Sequence, residues 1–151
     1  MKPATEPRIA WKTTIDGTVC GFEYHDGSIL GTRIDQTIFE LLIEGANGEI
    51  HTVNLINVQE MNIRDFWRGN IILSIFHWDH KDVPLSSWKE LYTGRGSEEP
   101  WLQKSIAANK NTHFFALISS YGADIFATCD EMIVTRRSSS ASTSVGMADS
   151  P

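Results

Sequence analysis

The chain has 151 residues, 41% apolar and 21% charged, which suits one globular domain with a real core and excludes full-length disorder. Its net charge is -6, and residues 135–151 hold only Arg136, Arg137 and Asp149, so the acidic excess lies in the rest of the chain. That balance makes a poor general ligand for nucleic acid, which rewards phosphate neutralisation, and suits a basic protein partner or simple solubility.

The elements follow in chain order. Residues 1–13 are polar, carry Pro3 and Pro7, and lack the apolar stretch of a signal peptide. A flexible N-terminus and a cytoplasmic protein are expected, with one globular α+β domain over residues 14–134. No apolar run reaches the length of a membrane span. Residues 28–34 read as an early strand. Residues 36–44 put Phe39, Leu41 and Ile43 on one face, and residues 49–56 do the same with His51, Val53 and Leu55. Gly45-Ala46-Asn47-Gly48 between them supplies turn chemistry, so the two segments read as a hairpin. Residues 58–63 suggest a short strand or a connection. The run Ile71, Ile72, Leu73, Ile75, Phe76 predicts a central strand covered on much of both faces.

Helical signals are confined to residues 82–111. Ser87 and Glu90 have capping-box spacing, and Leu85, Trp88, Leu91 and Tyr92 fall along one helical stripe. Ser97-Glu98-Glu99-Pro100 opens a second short helix, with Trp101, Leu102 and Ile106 as its apolar side. Residues 113–119 and 124–132 then form a C-terminal hairpin around Ser120-Tyr121-Gly122-Ala123. Strands first, a helical insertion, then a final hairpin predict an antiparallel α+β domain: a curled sheet or a partly open barrel. Residues 135–151 are Ser-rich with few large apolar groups and are expected to be disordered.

Several clusters offer chemistry. His77, Asp79, His80 and Asp82 stand within six positions and could converge on a metal from a loop. On a strand, alternation would put His77 and Asp79 on one face and turn His80 away. His25-Asp26-Gly27 could orient an imidazole for base catalysis, yet Asp-Gly is first of all turn chemistry. Cys20 and Cys129 have no metal-site spacing and are read as buried free thiols. No Gly-x-Ser-x-Gly elbow occurs, and Gly94-Arg95-Gly96 is too short to cradle a phosphate. Asp65-Phe66-Trp67-Arg68-Gly69-Asn70 is either a structural corner or an exposed aromatic and arginine hot spot.

One pattern runs through much of the chain: His25-Asp26, Ile29 and Ile34, a hairpin, Leu55-x-x-Val58, Gly69-Asn70-Ile71-Ile72 leading into a strand, and a closing Ser-Tyr-Gly-Ala hairpin. It spans residues 24–132 and resembles small bacterial β-rich domains, among them immunity proteins of polymorphic toxin systems. The resemblance implies a domain without catalysis or cofactor that neutralises a cognate toxin inside the producing cell. The Ser-rich tail and the Trp-bearing helical insertion depart from that pattern.

The residues therefore suggest a non-catalytic module for a basic protein partner, with no metal, nucleic acid or membrane involved. Contacts are expected at Asp79, Asp82, Glu98, Glu99 and Trp101, on the irregular stretch where binding residues tend to sit. The competing expectation is a small metal- or ligand-binding enzyme using His25, His77, Asp79 and His80.

Overall fold

The computed structural model describes residues 6–66, 69–95 and 100–137. Among the described residues ten strands are formed: β1 (Lys12–Thr13), β2 (Val19–Cys20), β3 (Ser28–Asp35), β4 (Ile38–Glu44), β5 (Ile50–Ile56), β6 (Met61–Arg64), β7 (Ile71–Asp79), β8 (His113–Tyr121), β9 (Asp124–Cys129) and β10 (Glu131–Arg136). Two short helices, α1 (Leu85–Leu91) and α2 (Trp101–Ala108), lie between β7 and β8, with a single 3₁₀ turn at His80–Asp82 before them. β1 and β2 pair with each other, and the other eight form one antiparallel sheet in the order β10-β5-β4-β3-β7-β8-β9-β6. The domain is α+β.

That sheet cannot be flat. β9 and β10 stand six places apart in the strand order, yet only Asp130 joins them. Six inter-strand spacings amount to about 29 Å, and a one-residue link spans about 7 Å. β5 and β6, also six places apart, are joined by four residues, 57–60. Two backbone bonds sew these corners together: Asp130 N–H to Ile56 O and Thr128 N–H to Glu60 O, both 2.9 Å. The sheet therefore rolls over its inner face, while its strand order stays open, with β10 and β6 at its two ends.

Period-two patterning decides which side chains enter the roll. Phe39, Leu41 and Ile43 of β4 meet Val53 and Leu55 of β5, and Ile72, Ile75, Phe115, Leu117 and Ile125 fill the core from the other strands. A second cluster lies on the outer face, where Trp88, Leu91, Tyr92 and Leu102 cover Phe114, Ala116 and Phe126. The strand sandwiched between the two clusters is β8: Phe114 and Ala116 face the helices, and Phe115 and Leu117 face the core.

This corrects part of the sequence reading. β7 is an interior strand, but only its second half is covered on both faces, because Ile71 and Leu73 are exposed beyond the helices. The expected final hairpin is β8–β9, and the residues after Asp130 turn away to pair with β5. The N-terminal segment was expected to be loose up to residue 13. From Pro7 it is bonded along β10, with Ile9 N–H on Val134 O at 2.8 Å and Arg136 N–H on Pro7 O at 2.9 Å. The disordered tail was expected from residue 135, yet Thr135 and Arg136 complete β10, and Arg137 N–H reaches Ile50 O at 2.8 Å. The remaining tail residues lie outside the described residues.

The helices also start differently from expectation. Pro84 precedes α1, so Ser87 and Glu90 sit within the helix rather than capping it. Glu90 is instead ion-paired with Arg64 on β6, and its carbonyl accepts Asn62 Nδ2–H at 3.0 Å. Pro100 precedes α2, while the acids Glu98 and Glu99 lie outside the described residues.

Candidate functional site

The two histidine clusters are dispersed by the fold. His25 and Asp26 form a turn, with Asp26 at φ +60°. The His25 ring meets the Leu73 carbonyl at 2.8 Å through Nδ1. His80, on the 3₁₀ turn, sits on the Ile106 carbonyl at 3.2 Å and edge-on to Trp88 at 5.0 Å. His77 points into the sheet and is buried. Three rings thus make three separate contacts. Among the described residues, no group of three His, Cys, Asp or Glu side chains is placed to hold a metal ion.

The spatial neighbour of His77 is His113, diagonally across on β8 and two residue pairs along the ladder, with ring centroids 4.8 Å apart. Trp11 covers His77 from the N-terminal segment, also at 4.8 Å and at 62°. Asp79 lies 3.2 Å from His113 Nδ1, so one carboxylate serves a ring on the adjacent strand. Burial, helped by His113, pushes the His77 pKa down to about 4, against a small upward pull from Asp79. Sequence inspection linked His77 to His80 because they are three residues apart. The ladder links it to His113, and only strand register could have said so.

His51 is a second buried ring, 5.0 Å from Phe22, and burial lowers its pKa as well. Cys129 is a core thiol whose pKa is pushed up to about 12 by desolvation first and Asp130 second. Cys20 is only half-buried, contrary to the expectation of two buried thiols, and its Sγ contacts the Lys12 carbonyl at 3.5 Å.

Of the expected contact residues, Asp79, Asp82 and Trp101 are described, and all three are exposed. Trp101 is 60% exposed at the first position of α2, with Lys104 Nζ 5.0 Å from its ring. The tie from His80 to Ile106 holds the 3₁₀ turn against the far end of the same helix. At 1.5 Å per residue, Trp101 is about 8 Å further along that axis. The Asp65–Asn70 stretch resolves only partly: Phe66 is exposed, Asn70 is buried, and Trp67 and Arg68 lie outside the described residues.

No helix among the described residues is long and apolar enough to cross a membrane. No family model, curated protein or solved structure matches this chain.

Proposed function

We propose that this protein is a non-catalytic module that binds a basic protein, and that its role is that of an immunity protein neutralising a cognate toxin. The observation that carries the reading is Trp101: a large ring 60% in solvent at the start of a helix, on a chain whose Asp79 and Asp82 are exposed as well. Exposed Trp residues in charged surroundings are the side chains that dominate binding energies at protein interfaces. The acidic excess outside the tail supports a basic partner through steering and complementarity. Glu98 and Glu99, next to Trp101 in the chain, extend that acidic character in sequence. The resemblance to immunity domains supplies the role. A partly open barrel is the finer description of the fold that we attach to the same reading, supported by the two short corners that roll the sheet.

The enzyme alternative built on His25, His77, Asp79 and His80 loses its geometric support, because those side chains do not meet in one place. Capture from the source cells tests the proposal. Tagged wild-type protein is expected to retain one basic protein in a salt-sensitive complex. Trp101→Ala, and separately Asp79→Asn with Asp82→Asn, are expected to reduce that retention at least tenfold. Equal capture by all three would overturn the assignment of this surface.

A further inference from the structure

We infer that residues 7–13 form an acid-releasable strap: they guard the edge of β10 at neutral pH and lift off when His77 gains a proton. The inference is independent of what the protein binds.

The strap is lightly held along β10. Its bonds there are Ile9 N–H to Val134 O and Arg136 N–H to Pro7 O, which together make the Arg8–Thr135 bridge, and Trp11 Nε1–H to Met132 O at 3.1 Å, and its Ile9 and Trp11 side chains rest on the rim of the core. An open cleft of about 380 Å³ is lined by residues 8–11 and 131–134. The strap's far end is tied to β2 through the Lys12–Cys20 pairing. Terminal elements held by so few backbone bonds open at free energies well below that of global unfolding.

His77 lies beneath the strap's one large side chain. Its Nε2 is buried and has no hydrogen-bond partner among the described residues. A proton there would create a buried cation with nothing to accept from it. The charged and titratable groups around the ring are few. β8 brings His113, a second potential cation; β7 brings Asp79, 3.2 Å from His113 Nδ1; the turn whose Gly17 carbonyl accepts the His77 N–H brings Asp16, bonded to Thr14 and Thr18; and the strap brings Lys12, which is exposed. Relief must come from uncovering the ring. β7 and β8 are joined by a long ladder in the middle of the sheet, which fixes the backbone at His77 and His113. Moving Trp11 breaks the strap's few bonds and its packing on the rim of the core, and leaves that ladder intact. Neutral His77 therefore favours the docked strap, and protonated His77 favours the released one. Release exposes the outer N–H and C=O groups of β10, an unpaired edge able to accept another strand.

The test is an NMR titration of ¹⁵N-labelled full-length protein from about pH 7.5 to about pH 2.5, which carries the His77 ring through its depressed pKa. It follows the Ile9 and Arg136 amides, the Trp11 indole, the His77 ring and the Leu117 amide. The three strap signals are expected to move to unbonded positions with the midpoint of the His77 ring, while Leu117 stays folded. Trp11→Ala is expected to raise the His77 midpoint toward the ordinary value of 6.5, a readout that does not require a His77 variant to fold. His77→Phe, if folded, is expected to hold the strap throughout. The inference is overturned if the strap leaves while His77 is still neutral, or if it stays while His77 titrates. It is equally overturned if strap and Leu117 are lost together, or if the His77 midpoint is unchanged in Trp11→Ala.

Discussion

The side-chain oxygen of Asn70 accepts the backbone N–H of Ala123 at 2.8 Å, holding the β8–β9 turn against the start of β7. Gly122 makes the approach possible. Its φ is +104°, and a Cβ there would run into the Asn70 side chain. The Asn70 carbonyl also accepts the Ile29 N–H at 3.0 Å, so one buried residue joins β3, β7 and the final hairpin. Gly122→Ala combines a strained backbone with a clash and should cost about 2–4 kcal/mol. Asn70→Ala leaves the Ala123 amide unpaired and should cost about 1–3 kcal/mol. Denaturant titration of both variants checks this. Wild-type midpoints would show that the contact contributes nothing.

A second test concerns the alternation along β7. Ile72 is 0% exposed and Leu73 is 45% exposed. Ile72→Asp places an unpaired charge in the core and should abolish the cooperative unfolding transition, a loss above about 4 kcal/mol. Leu73→Asp should stay within about 1 kcal/mol of wild type. Circular dichroism melts separate the two, and equal damage would mean that the face assignment is wrong.

The corner between β9 and β10 rests on Asp130. Its carboxylate accepts from Asn57 Nδ2 at 2.5 Å, Asn111 Nδ2 at 3.0 Å and the Thr112 N–H at 3.2 Å. These bonds, led by the one from Asn111, hold its pKa below the usual aspartate value of 3.8. A carboxyl with a depressed folded pKa binds fewer protons folded than unfolded. Its stabilisation is thus present above about pH 4 and is lost as the pH falls below that. Asp130→Ala should remove this acid-limb loss and lower stability at neutral pH, whereas an unchanged profile would assign the limb to other groups.

The thiols should differ in reactivity. Thiol titration of the native protein is expected to find Cys20 reacting and Cys129 silent until denaturant is added, because burial keeps the Cys129 thiol protonated. Cys129→Ser puts a hydroxyl into the main core and should destabilise by about 1–3 kcal/mol, while Cys20→Ser should be nearly neutral. Fast native labelling of Cys129 would show that the core opens there.

At the other end of β10, Arg136 is ion-paired with Glu49 at 3.0 Å, and Arg137 bonds Ile50. Truncation after Thr135 should therefore lower the melting temperature more than truncation after Arg137. Equal melting temperatures would mean that these two residues add nothing to β10.

Much of the sheet was legible because its signals are local. The β4–β5 hairpin follows from Phe39, Leu41 and Ile43 alternating, a Gly-Asn turn, and Val53 and Leu55 alternating again. The misreadings share a cause: they depend on partners far away in the chain. Residues 7–13 look polar because only Ile9 and Trp11 turn to the core, and the backbone bonds that hold the rest leave little trace in side-chain pattern. Residues 124–132 read as one strand because nothing apolar marks the corner, and Asp130 turns it through Asn57 and Asn111. The doubly covered strand was sought in the Ile-rich β7, whereas the helices settle over β8, where Phe114 and Phe115 point opposite ways. His77 looked like a ligand beside His80 because sequence proximity was visible and register was not. For the expected contact residues, composition showed only that acids and a Trp were available, and exposure of Asp79, Asp82 and Trp101 is what the fold adds.

The central claim is that this chain neutralises a basic toxic partner through the surface around Trp101. The direct measurement is growth of a host expressing the captured partner, with and without this protein. The account predicts arrest by the partner alone, recovery with wild-type protein, and little recovery with folded Trp101→Ala. Growth unaffected by the partner, or full recovery with Trp101→Ala combined with Asp79→Asn and Asp82→Asn, would contradict it.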